Sequence, residues 1–196
     1  MKVLTAGFLL AVLGGMVPAL SESPSPRIMI KTDLGEIVLE VDLNRAPLTA
    51  ANFLKYVDQG LLRGGSFYRV VRPDNQPGAK VLIEVIQGGL GPAESPTSLP
   101  PIAHETTQAT GLLHRDGTLS MARDQPGTAG SEFFICIGDL PELDFGGKRN
   151  PDGQGFAAFG RVVEGMSVVR RIQEQPAQGQ MLVNPVRFVS VERVRP

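Results

Sequence analysis

Residues 117–136, GTLSMARDQPGTAGSEFFIC, constrain the chain more than any other stretch. Apolar and polar residues alternate over 118–122, as on a strand with one buried face. Residues 123–130 contain Asp124, Pro126 and two glycines and have to turn. Alternation resumes over 132–137 with aromatic and β-branched residues, which suit a pleated, half-buried surface. The reading is two strands joined by a wide loop.

The same short-strand pattern recurs along the chain. Residues 27–33 and 36–42 alternate around Leu34-Gly35 and read as a hairpin. Residues 66–71 alternate, which puts Phe67 and Arg69 on one face and Tyr68 and Val70 on the other. Residues 81–86, 156–163 and 185–194 read as further strands. Pro47 fits the first position of a helix over 47–59. Ala50, Phe53, Leu54 and Val57 recur on one face of that helix, and Gly60 lies just past its end. Val168, Val169 and Ile172 mark a second, short helix over 167–173. Many short strands, few helices and frequent turns point to a closed antiparallel barrel, which leaves no exposed edges. The glycine and proline content, 23 and 16 of 196 residues, agrees with that.

At 42% hydrophobic and 20% charged residues, the chain suits one globular domain with a full core. The net charge is −1 with signs interspersed, so nucleic acid is not expected as a partner. Cys136 is the one cysteine, which excludes an internal disulfide and suits a buried small hydrophobe. His104 and His114, even with Glu105 between them, fit no metal-ligand spacing. They are expected to be exposed or structurally hydrogen-bonded, and no metal is expected.

Lys2, the apolar run 3–17 and Val17-Pro18-Ala19 read as a signal peptide over 1–19. The run is shorter than the ~20 residues of a spanning helix. Residues 20–26, with SESPSP, read as a disordered linker, and 27–196 as the folded domain. The expectation is an exported protein, periplasmic or secreted, monomeric, with no membrane span after processing; an uncleaved anchor is the alternative.

The order SMAxxxPxTxGSxFFIC from Ser120 to Cys136 resembles the central motif of the cyclophilin-type peptidyl-prolyl isomerases. APxTxxNFxxYxxxG from Ala46 to Gly60 resembles the start of that family, and FYRVV at 67–71 resembles its F-[HY]-R-[VI]-[IV] strand. The resemblance implies an eight-stranded antiparallel β-barrel capped by two α-helices, acting on unfolded or Pro-containing polypeptides without metal, cofactor or covalent intermediate. It implies Arg69 as the catalytic cation, Gln87 of the QGG motif as the active-site glutamine, and Phe134 as the floor of the proline pocket. It further implies that Ala122 and Arg123 line the substrate groove, and that Val85 and Leu143 are apolar pocket positions.

The chain departs from the family pattern at several sites. Glu84 and Val85 stand where phenylalanine and methionine are common, and Arg123 replaces an asparagine. Glu132 replaces a glutamine, Glu142 a tryptophan and Phe156 a histidine. The tryptophan change implies weak cyclosporin binding. Glu132 is expected to lie beside Arg69 and pair with it, offsetting its field. The altered lining keeps a non-catalytic module that binds Pro-containing segments as the alternative, with a purely structural barrel behind it.

Overall fold

The computed structural model describes residues 25–91 and 98–194. The expected signal peptide lies outside the described residues. Of the expected linker only Ser25 and Pro26 are described, and Pro26 O accepts a 2.9 Å bond from Val41 N.

In chain order the elements are β1 (Arg27–Thr32), β2 (Gly35–Val41), α1 (Pro47–Asp58), β3 (Ser66–Val71), β4 (Val85–Gly89), α2 (Thr107–Thr110) and β5 (Thr118–Met121). They continue with β6 (Phe133–Cys136), β7 (Ala157–Glu164), α3 (Met166–Gln173), β8 (Ala177–Gln178) and β9 (Met181–Arg193). Neighbours run β1-β2-β7-β5-β6-β4-β3-β9, all antiparallel, and β9 pairs back onto β1. That closes the eight-stranded barrel, and two-residue β8 hangs on β9 alone. Alternation along each strand sends one set of side chains inward. Phe67, Phe133 and Phe188 meet there with ring centroids 5.0–6.3 Å apart, and Phe53 of α1 reaches Phe133 and Phe159 at 5.3 Å. Burying each such ring contributes roughly 2–3 kcal/mol. Val168, Val169 and Ile172 of α3 join the same core.

Several boundaries differ from the expectation, each for an identifiable reason. The strand expected over 81–86 begins only at Val85. Before it, the Gln76 side chain binds both the N–H and the C=O of Ile83, at 3.2 and 2.8 Å, and takes the place of a strand partner. The last strand begins at Met181 and runs through Pro185. Proline has no N–H for the ladder, and the β3–β9 register shifts between Arg69↔Met181 and Phe67↔Val186, which spans it. The described residues hold three helices where two were expected. The third, α2, is a single turn made by local capping: the Thr106 side chain accepts from Ala109 N, and Gly111 follows at φ 70°. It has no apolar periodicity to announce it.

Helix α1 starts at Pro47 as expected, but Ala46 before it offers no side-chain cap. The carboxylate of Glu105 supplies one, accepting from Leu48 N at 3.1 Å, Thr49 N at 2.6 Å and Thr49 Oγ1 at 2.6 Å. An anion at the positive end of the helix also complements its dipole. His104 Nε2 lies 3.1 Å from Gln154 O, and His114 is buried against Asp144 and Ser120.

Candidate active site

Strand β3 does not alternate as expected. Its register shifts between Phe67 and Arg69 against both β4 and β9, a bulge. Phe67 and Val70 point into the core, while Tyr68, Arg69 and Val71 serve the outer face. The expectation that Phe67 and Arg69 share a face is thereby corrected. The extra residue aims two polar side chains at one neighbourhood.

Cross-strand pairing then sets a row on the outside of the barrel. Arg69 pairs with Gln87, Gln87 with Phe134, and Phe134 with Ser120, across β3, β4, β6 and β5. The QGG motif has a steric reason next to this row. A Cβ on Gly88 would stand 2.6 Å from Ser66 O, and one on Gly89, at φ 150°, would meet the Glu132 carboxylate.

Around Phe134 a second apolar cluster forms, separate from the barrel core. It holds Val71, Ile83, Val85, Cys136 and Leu143, with Val81, Ala122, Leu140 and Phe156 packed on it. The expected site residues Val85, Ala122, Phe134, Leu143 and Phe156 are thus brought together in one cluster. Phe156 stands edge-on to Phe134, with centroids 5.3 Å apart and planes at 89°. From the other side, His114 stacks on Phe134 at 6.1 Å and 14°. Its ring nitrogens meet Asp144 Oδ1 at 2.7 Å and Ser120 Oγ at 2.9 Å, which fixes the imidazole against the Phe134 ring. Cys136 lies wholly buried in the cluster, and burial pushes its thiol pKa well up.

Arg123 adjoins this cluster with its charge turned away from open solvent. Its side chain is 1% exposed. It donates to both Asp152 oxygens at 2.8 and 3.0 Å and to Gly155 O at 2.6 and 2.9 Å. Its guanidinium carbon stands 5.2 Å from the Phe156 ring centroid. These bonds hold Asp152 below the ordinary carboxylate range. Arginine at 123 and phenylalanine at 156, two of the departures, therefore pack as a pair. Glu84 is met by Gln173 Nε2 at 3.2 Å, and Glu142 receives Lys148 N at 2.8 Å.

The polar end of the site differs most from expectation. Glu132 does not pair with Arg69. Its Oε2 accepts from the Tyr68 hydroxyl at 2.6 Å, and its Oε1 accepts from Gly91 N at 3.0 Å and Ser131 Oγ at 2.9 Å. Tyr68, placed outward by the bulge, stands between the two charges. Gln87 Nε2 donates to the Tyr68 oxygen at 2.9 Å, and Gln87 Oε1 accepts from Arg69 Nη1 at 2.5 Å. Burial first, then the bond to Glu132, pushes the Tyr68 phenol far above its ordinary value and keeps it a donor. Burial also lowers the Arg69 guanidinium somewhat, though an arginine stays cationic at neutral pH. Gln180, which carries no motif, accepts from Arg69 Nε and Nη2 at 3.1 and 2.6 Å.

A closed eight-stranded barrel thus bears a held arginine in one cross-strand row with an apolar cluster centred on an aromatic ring. The sequence model described as cyclophilin type peptidyl-prolyl cis-trans isomerase/CLD matches residues 27–193, and the chain belongs to that family. Peptidyl-prolyl cis-trans isomerase A of Dickeya dadantii is 32% identical over 176 residues, covering 88% of this chain and 84% of the relative. A peptidyl-prolyl cis-trans isomerase of Acinetobacter baylyi is 34% identical over 190 residues, covering 92% of each. Peptidyl-prolyl cis-trans isomerase B of Escherichia coli is 34% identical over 148 residues, covering 74% of this chain and 83% of the relative. A crystal structure of a Cryptosporidium parvum cyclophilin-type isomerase shares the fold, with TM-score 0.68 and 22% identity over 88% of this chain and 99% of that one.

Proposed function

We propose that this isomerase lowers the barrier to X–Pro rotation with Arg69 as the catalytic cation, the cluster around Phe134 as the proline pocket, and Gln87 as the residue that holds the guanidinium. Resonance gives the peptide C–N bond double-bond character and a barrier of about 18–20 kcal/mol. Twisting the bond breaks that resonance, and the proline nitrogen becomes pyramidal with a localised lone pair. A fixed N–H donor with positive charge, aimed at that lone pair from a site shielded from water, stabilises the twisted amide more than the planar one. One observation carries the reading: Arg69, Gln87 and Phe134 stand in one cross-strand row, the cation at one end, Gln87 between, and the apolar ring two strands over. A proline ring on the floor then lies within reach of the guanidinium. Ala122 and Arg123 lie at the edge of the same pocket, and Glu132 acts on the site through Tyr68 and Gln87. The test is Arg69→Ala in a protease-coupled assay on a short X–Pro peptide, with circular dichroism in parallel. The expected loss in kcat/KM is about 10²–10³-fold in a folded protein. Near-wild-type turnover in a folded variant removes Arg69 from the mechanism.

We further infer that the protein is exported and acts on Pro-containing segments of extracytoplasmic proteins. The reading rests on the charged, apolar and small-residue order of residues 1–19. Mass spectrometry of protein recovered from the cell envelope tests it. The expected mass lacks residues 1–19, and a chain that retains Met1 and stays with the membrane makes the segment an anchor.

A further inference from the structure

We propose that Gln180, in the turn between β8 and β9, is a positioning residue for Arg69. The inference rests on the catalytic reading of Arg69. A guanidinium has five N–H donors in a rigid plane and no acceptor. Gln180 Oε1 takes two of them, Nε–H and one on Nη2, at 3.1 and 2.6 Å, while Gln87 Oε1 takes one on Nη1. Among the described residues the other two donors, one on each terminal nitrogen, take no partner and are left for a substrate. The planar group is therefore held on two sides by neutral amide oxygens.

The glutamine itself is held from several directions. Its main-chain O accepts from Val70 N at 2.8 Å, next to Arg69 on β3. Gln178 and Met181 pair across the turn, and Gly179 takes φ 60°, the left-handed conformation that two-residue hairpin turns favour at a glycine. The amide has only one sensible orientation. Arg69 cannot accept, so the oxygen must face it, and Nε2 then donates to Asn75 O at 3.1 Å. Asn75 in turn donates to Val70 O at 3.0 Å and Gly179 O at 3.1 Å, tying the turn to β3. Because the acceptor is neutral, it fixes the cation without cancelling its charge, which a carboxylate in the same place would do.

An interaction that fixes the cation for the twisted amide acts on turnover more than on substrate binding. The experiment compares wild type, Gln180→Met, Arg69→Ala and the double variant for kcat and KM on an X–Pro peptide, and follows the Arg69 Nε–H resonance by NMR. Gln180→Met is expected to lower kcat about tenfold with KM within about twofold, and to have no further effect in the Arg69→Ala background. The Arg69 Nε–H of the wild type is expected to exchange slowly, and that protection to be lost in Gln180→Met. An equal loss in both backgrounds, a raised KM at unchanged kcat, or unchanged activity overturns the inference. So does a wild-type Arg69 Nε–H that exchanges as fast as those of surface arginines, an outcome that needs no variant to fold. If Arg69→Ala is inactive while Gln180→Met is unimpaired, only the role of Gln180 fails. If Arg69→Ala is active, the catalytic reading fails first.

Discussion

The Tyr68 hydroxyl donates a 2.6 Å hydrogen bond to Glu132 Oε2, and this single bond sets the direction of every bond from there to Arg69. A carboxylate can only accept, so Tyr68 must donate to it. The Tyr68 oxygen is then free to accept from Gln87 Nε2, which turns Gln87 Oε1 toward Arg69. The negative charge is kept two side chains away from the guanidinium, behind Tyr68 and Gln87, and still orients the group that binds it.

Replacing Glu132 by glutamine is therefore expected to impair the enzyme. An amide at this position has one end that donates. That end faces either Gly91 N, a donor against a donor, or Tyr68, which reverses the chain and turns the Gln87 NH₂ toward Arg69. Glu132→Gln should lower kcat/KM about three- to tenfold and stability by about 1 kcal/mol. Peptide kinetics and urea unfolding measure both. A faster folded variant would restore the idea that the carboxylate only weakens the cation.

Helix α1 depends on a cap that arrives from 56 residues away, the Glu105 carboxylate on Thr49 N. Glu105→Ala leaves the first-turn amides of Leu48 and Thr49 without that partner and should cost about 1–2 kcal/mol. Activity per folded molecule should be unchanged, since the site lies on other elements. A melting temperature equal to wild type would show that water replaces the carboxylate there.

Cys136 is expected to make stability fall at alkaline pH. In the unfolded chain a thiol ionises at about 8.5, whereas burial, with the charges of Asp144 and Asp116 added, keeps the folded thiol protonated far above that. The folded pKa is the raised one. The contribution is thus fully present below the unfolded value and is lost as pH rises through the window above it, at up to about 1.4 kcal/mol per pH unit. Urea midpoints of Cys136→Ala should fall less steeply than wild type between pH 8 and 10, from a lower start. Equal slopes would assign the alkaline loss to other groups, among them Tyr68, whose pKa is also raised but whose unfolded form ionises higher.

The barrel and its first helix were legible in the chain because their signals are local. Strand pairs need only alternation and turns, and α1 needs only Pro47, its apolar spacing and Gly60, all within a few residues of one another. The residues that the family resemblance placed around Phe134, namely Val85, Ala122, Leu143 and Phe156, do pack with it in one apolar cluster. What the tertiary structure alone decided is where polar groups find partners. The bulge that turns Tyr68 outward arises from how β3 meets β4 and β9, so a single-strand pattern predicts the wrong face. That one displacement separates Glu132 from Arg69. Gln180 meets Arg69 across 111 residues of chain, and Glu105 meets Thr49 across 56. Hydrophobic burial is non-directional and leaves a periodic trace in the sequence. A hydrogen bond requires two particular atoms at one distance and angle, and that is settled only when the barrel closes.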